Sequence, residues 1–381
     1  MRRDSLRRRR TMRIATTLVA MTLVAAAPTR VRAQGAVLLQ GIADGEFWTT
    51  NARSNLLTRN GGQPGGLGRL QLWGAVEPWR GLVAYAQGDV EAGSARYEPG
   101  SEEVSSNQFG LRYTVSSHVV VDAGRLTPVI GTFAARHFST RNPLIGDPDG
   151  YSLDYPLGVE VFGDVYKFDY RVAAVSLPTS HTGYEPSPTP YLRPAIGGGF
   201  TPIVGLRLGA SFTVGPYLNK DVADLALKGK EWTAYQQRVV AFDASFAHGY
   251  LETHAEAARG SYDIPSGTIT GFTYYGEAKY TLTPRFFIAG RAERNKYPFI
   301  RPTTATSAST ALWAARLTDF VDGEFGGGYR LSASTLIKTS IRGDRWWVRA
   351  ASPGFRGQGG HAVALQVSQA FDVIDWFDRN R

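Results

Sequence analysis

Asn107-Gln108-Phe109-Gly110-Leu111-Arg112-Tyr113-Thr114-Val115 places Phe109, Leu111, Tyr113 and Val115 on one side of an extended chain. Gln108, Gly110, Arg112 and Thr114 fall on the other, because successive side chains of a strand point to opposite faces. One face suits hydrocarbon and the other suits water. The same period returns along the chain. Leu206, Leu208, Ala210, Phe212 and Val214 oppose Arg207, Gly209, Ser211 and Thr213, and Phe272, Tyr274, Ala278 and Tyr280 oppose Thr273, Tyr275, Glu277 and Lys279. Val321, Phe325 and Tyr329 oppose Asp322, Glu324 and Arg330 in the same way.

About 16 such segments begin near residues 36, 66, 81, 105, 118, 157, 167, 191, 205, 235, 250, 270, 285, 318, 335 and 360. Their connections alternate in length. Short turns near 77–80, 116–117, 166, 201–205, 248–249, 281–284 and 331–334 interleave with longer loops near 50–65, 93–104, 128–156, 178–190, 218–234, 263–269, 297–317 and 350–359. That alternation predicts an all-β, antiparallel, up-and-down transmembrane barrel with its turns at one rim and its loops at the other. A tilted spanning strand needs about 9–11 residues, so 16 of them use roughly half of the chain beyond residue 33. A closure of that size leaves a water-filled lumen, whereas eight strands would be plugged by their own side chains. Trp48, Trp79, Tyr217, Tyr250, Tyr262, Phe286 and Trp346 lie near strand ends, which suits aromatic girdles facing lipid.

Residues 1–33 read as a secretory signal peptide. Arginines at 2, 3, 7, 8, 9, 10 and 13 precede an apolar run from Ile14 to Ala27, and Val31-Arg32-Ala33 offers a cleavage site before Gln34. Met12 is an alternative start. The apolar run is too short to span a bilayer as a helix. This leader carries +8 of the formal net charge of +9, leaving residues 34–381 at +1. A nucleic-acid partner inferred from a basic chain therefore loses its support. The chain contains no cysteine, which rules out a disulfide framework, a Cys-ligated metal and a thiol nucleophile. No later stretch is apolar enough to make a helical span.

If apolar parity faces outward, the opposite parity lines the lumen. It holds Arg69, Arg112, Arg171, Arg207, Lys279, Arg291, Arg330, Lys338 and Arg342. With them come Asp89, Asp122, Glu160, Asp169, Asp243, Glu252, Glu256, Glu277, Glu293, Asp322 and Glu324. Mixed charges in a wet pore favour hydrophilic solutes, whereas a single-sign ring would select ions by charge. The carboxylates slightly outnumber the basic groups, so the inventory argues against anion selectivity. Many of these groups are expected to pair across strands and stiffen the wall. Residues 128–156 form the longest loop and mix apolar residues with Arg136, His137, Arg141, Asp147 and Asp149. A loop left in water has little use for so many apolar residues, so this one is expected to fold inward as a constriction.

The run Asp122-Ala123-Gly124-Arg125-Leu126-Thr127-Pro128-Val129-Ile130-Gly131 stands out, together with Ala135-Arg136-His137, Asn142-Pro143-Leu144-Ile145 and Gly249-Tyr250-Leu251-Glu252-Thr253-His254-Ala255-Glu256-Ala257. These segments resemble Gram-negative porins of the phosphate-selective porin O and P group. The resemblance implies an outer-membrane porin but transfers no solute. By analogy with other 16-strand porins, a homotrimer is the natural assembly.

The expected activity is passive diffusion of small hydrophilic solutes or ions across the outer membrane of a Gram-negative-type bacterium. It needs no enzyme chemistry, no cofactor and no metal. Two alternatives were weighed. One is a barrel with a plugged lumen acting in binding or adhesion, and the other is an outer-membrane hydrolase. The hydrolase would need a general base beside a carboxylate, and only Glu252, His254 and Glu256, an inward ladder on one strand, offer such a cluster. Gly197-Gly198-Gly199 and Gly326-Gly327-Gly328 do not open helices and so are not phosphate loops.

Overall fold

The computed structural model describes residues 37–52, 54, 57–95, 103–149, 155–176, 191–217, 231–264, 267–302, 313–347 and 359–374. The leader at 1–33 lies outside them. Sixteen antiparallel strands close into one barrel in chain order. They are β1 (Val37–Thr50), β2 (Gly65–Trp79), β3 (Leu82–Gly93), β4 (Glu103–Thr114), β5 (Val120–Arg125), β6 (Leu157–Val165), β7 (Phe168–Val175) and β8 (Arg193–Ile203). The second half holds β9 (Leu206–Pro216), β10 (Gln236–His248), β11 (Leu251–Ile264), β12 (Gly267–Thr283), β13 (Phe286–Pro302), β14 (Trp313–Arg330), β15 (Thr335–Trp346) and β16 (His361–Asp372).

Closure is made by β1 on β16, in register from Gln40 opposite Asp372 to Thr50 opposite Ala362. A closed ladder pairs the backbone groups of every strand and leaves no edge. That is why the chain can expose Phe242, Phe325 and Ile341 outward while its charged parity turns inward. Two of the expected long loops are shorter than the sequence reading. Strands β11 and β12 keep pairing as far as Ile264 opposite Gly267, and β13 and β14 as far as Pro302 opposite Trp313. This quarter of the wall is therefore taller than its neighbours.

Four of the expected girdle aromatics point the other way. Trp48, Tyr217 and Tyr262 are buried, and Trp346 stacks on buried Phe320. Trp48 shares its parity with Asp44 and Glu46, and Tyr262 shares its parity with Glu256. Nearness to a strand end sets an aromatic's height, but parity sets its face. Trp79, Tyr250 and Phe286 do point outward.

The two-residue turns demand particular backbone conformations. Gly205, between β8 and β9, has φ +88°, and a Cβ there would lie 2.2 Å from the Ala247 carbonyl oxygen. The same carbonyl region holds the turn down, since the Ala247 amide donates to the Gly205 carbonyl. Gly205→Val is therefore expected to lower barrel stability by about 1–3 kcal/mol, the usual strain of a non-glycine residue held in this region. A urea titration of the detergent-solubilised barrel measures it; an unchanged midpoint would mean that the turn relaxes freely.

Candidate functional site

After β5, residues 126–149 do not leave the barrel. Its apolar residues pack on inward-facing wall residues. Val129 meets Ala173, Val175 and Ala195, and Ile130 and Phe133 meet Val239, Ala241, Ala258 and Tyr275. Ile145 joins Trp48, Leu67, Ala362 and Ala364. Several wall partners are alanines, whose small side chains leave room for a second layer of chain. Burying Phe133 and Ile130 contributes at most about 1.5–3 kcal/mol each.

Polar contacts fix the same segment from one end to the other. Arg171 donates to the carbonyls of Thr127 and Pro128 where the loop begins. The Thr132 amide and hydroxyl donate to Glu256 at 3.0 and 2.7 Å, and Tyr275 OH donates to the same carboxylate at 2.6 Å. Arg136 pairs with Glu277 at 2.6 Å and donates to Tyr275 OH. Arg291 bridges Glu277 and Glu324 and also donates to the Gly146 carbonyl. Glu324 in turn accepts the Ile145 and Gly146 amides at 3.1 and 3.0 Å. Lys338 is 1% exposed, and its Nζ donates to three loop carbonyls, those of Ser139, Asn142 and Leu144, at 2.8–3.0 Å. Last, the Asp149 amide donates to Glu293, and Arg342 holds Asp149, Glu293 and Asp322 together.

The other constriction candidates serve the loop itself. His137 contacts the Ala134 carbonyl and packs against the Phe138 ring in a tilted arrangement, and Arg141 donates to the Ala135 carbonyl. Asp147 accepts from Asn142. Burial raises its carboxyl above the ordinary range, opposed in part by the Arg291 charge.

Charged residues of β4–β10 carry a different arrangement. Arg112 is 47% exposed, while its partner Asp122 beneath it is 4% exposed. Tyr85 OH donates to the same Asp122. Arg171 over Glu160 repeats the pattern. Arg207 spans Asp169 and Asp243, and Gly199 and Gly209 leave the space that its guanidinium and the Asp243 carboxylate occupy. Parity alone counts more acids than bases. In the folded chain, however, the acids of Arg112 and Arg171 lie underneath and the guanidinium groups meet the water.

Arg69 joins Glu46 and Glu91 beside a cavity of about 420 Å3 where the loop meets β1–β3. Lys279 pairs with Glu252, and Arg330 is exposed at the short-turn rim. The Glu252, His254 and Glu256 ladder is not kept as a unit: Glu256 serves the loop and Glu252 serves Lys279. His254 is half-buried between them. Arg125 donates to the Tyr155 carbonyl at the far end of the loop.

Sequence reasoning missed the acids of β1. Asp44 and Glu46 are buried inward, and the alternation Ile42, Asp44, Glu46, Trp48 signals this once β1 is read from Val37. It also missed that loop backbone groups, rather than loop charges, are the main partners of Glu324 and Lys338.

No family model matches the chain, and no curated protein does. Solved structures do match. The anion-selective porin from Comamonas acidovorans superposes with a TM-score of 0.59 at 12% identity, over 89% of this chain and 100% of that one. Salmonella typhi OmpF in complex with daunomycin gives 0.58 at 12% identity, over 88% and 97%. The loop L8 deletion mutant of OmpT, an outer membrane protein of Vibrio cholerae, gives 0.56 at 9% identity, over 89% and 100%. The shared property is the fold of the porin barrel.

Proposed function

We propose that the chain is an outer-membrane diffusion channel for small hydrophilic solutes. The inner loop would set its bore, and the leader at 1–33 would direct its export. The observation that carries the reading is a segment layered on the inward-facing wall while Arg112 on β4 keeps nearly half of its side chain exposed above a buried carboxylate. A plug would be tied to the wall all round. Among the described residues the loop is anchored mainly on β7–β8, β10–β16 and β1–β2, β4 contributes the Gln108 contact to Thr127, and the Arg112 side chain keeps its exposure. Outer-membrane lipid and small solutes are the partners this implies, and assembly as a homotrimer remains the natural arrangement. A hydrolase has less to recommend it, because the one histidine–carboxylate cluster is divided between other partners.

Planar-bilayer recording tests the proposal. Stepwise conductance in KCl is expected, and its complete absence from correctly folded barrel would overturn the channel reading. Selectivity then follows from which charges meet water. Arg112→Gln with Arg207→Gln leaves their partners Asp122, Asp169 and Asp243 in place, so the reversal potential in a tenfold KCl gradient should move measurably toward cations, because charges lining a wet pore bias which ions enter it. No movement would mean that these arginines lie off the solute path.

A further inference from the structure

Two rungs of the ladder on β13–β15 carry opposite charge patterns. In the rung nearer the short turns, Glu277, Arg291, Glu324 and Arg342 stand opposite one another in succession, alternating in sign. In the rung two residues toward the long loops, Glu293, Asp322 and Asp344 are direct neighbours and all acidic. Like charges directly opposite each other are destabilising. Asp344 is separately satisfied, by Ser54 Oγ and Trp346 Nε1 at 2.6 Å each and by the Gly360 amide. Glu293 accepts from Asn295 and from the Asp149 amide, but among the described residues Asp322 has only Arg342. The inner loop then adds Asp149, a third carboxylate, to the same place.

One ligand oxygen from each of Asp149, Glu293 and Asp322 lies within 4.8 Å of the others. Counting the ion pairs leaves a deficit of positive charge. Arg136 and Arg291 balance Glu277 and Glu324. Arg342 alone must then serve Asp149, Glu293 and Asp322, so two negative charges remain. The Asp322 side chain is 1% exposed; its Oδ1 takes the Arg342 Nε, but its Oδ2 is buried with no hydrogen-bond partner. An anionic oxygen buried without a partner is costly, and Asp322 is grouped with two further carboxylates.

We propose that Asp149, Glu293 and Asp322 form a divalent-cation site, filled by calcium, that clamps the inner loop to the barrel wall. The cation restores the two missing positive charges. Its ligands are hard carboxylate oxygens lying within 4.8 Å of one another, close enough for one cation to reach all three at calcium–oxygen distances of about 2.4 Å. It sits beside Arg342, on the Asp322 Oδ2 side, with water completing its coordination. The sequence reading expected no metal, because strand parity could not place Asp149 against β13 and β14. The proposal rests on loop–wall geometry and holds whether or not the barrel conducts.

Barrel extracted in detergent from membranes, stripped with EDTA and titrated with calcium chloride, tests it. The thermal midpoint should rise with calcium and fall again with EDTA. Terbium should bind once per chain, with emission sensitised by tryptophan, since Trp346 stacks on Phe320 two residues from Asp322. Asp322→Asn and Asp149→Asn should each weaken binding at least tenfold, while Glu252→Gln at the short-turn rim should bind as the parent does. If Asp322→Asn does not reach the membrane, Asp149→Asn alone decides, because that residue lies on the loop. Failure of the parent barrel to bind calcium or terbium overturns the site, as does equal binding by the Asp149→Asn barrel.

Discussion

Lys338→Met should release the inner loop and leave the barrel standing. Single-channel conductance is expected to rise roughly twofold and become noisy, since the bore is set by what occupies it. The physical reason is local. The buried ammonium is the donor for three loop carbonyls, those of Ser139, Asn142 and Leu144, and each buried polar group left without a partner costs about 1–3 kcal/mol. Methionine preserves the unbranched shape, so the wall loses donors and not packing. Ladder pairing between Lys338 and Gln366 is made by backbone and is untouched. Trypsin offers an independent readout, because Arg136 and Arg141 lie in the loop and become cleavable once it lifts. If conductance and trypsin resistance both match the parent barrel, the apolar contacts of Ile130, Phe133 and Ile145 hold the loop without Lys338.

The barrel itself was legible because its signals are local. Strand starts read from period two fall within a few residues of the observed ones, and the turns at Gly205 and Gly249 are where glycine has to be. Parity also puts Arg112, Glu277, Arg291 and Glu324 on the charged face of their strands, and there each meets an ion-pair partner. What parity cannot express is depth. It treats Asp122 and Arg112 alike, although one lies beneath the other, and it counts charges where the solute meets only the topmost. It is equally silent about partners from a loop, since nothing in Gly146 announces that its amide will sit on Glu324. The aromatics show the same limit from the other side. Trp48 and Trp79 both end strands, yet one is buried against Ile145 and the other faces out.

Arg342→Met is expected to be the most damaging single substitution in the lumen. Arg342 contacts Asp149, Glu293 and Asp322 through Nε and Nη2; the last two lie in the all-acidic rung and the loop adds the first. Removing one partner of a buried ion pair costs about 3–5 kcal/mol, and here three carboxylates lose the same partner. Arg342→Lys keeps the charge but not the planar fork. An ammonium can face one or two of the three acids, so an intermediate loss is expected. Urea midpoints measured in EDTA make the comparison clean, because any divalent cation would mask part of the deficit. The pair Arg342→Met and Asp149→Asn then separates loop from wall. If the Asp149 contact carries the docking, the double variant should lose less than the sum of the singles, by about 0.5–3 kcal/mol. Strict additivity would assign the whole effect to Glu293 and Asp322, and the loop would then owe its position to its other anchors, those on Arg171, Glu256, Glu277, Glu324 and Lys338 among them.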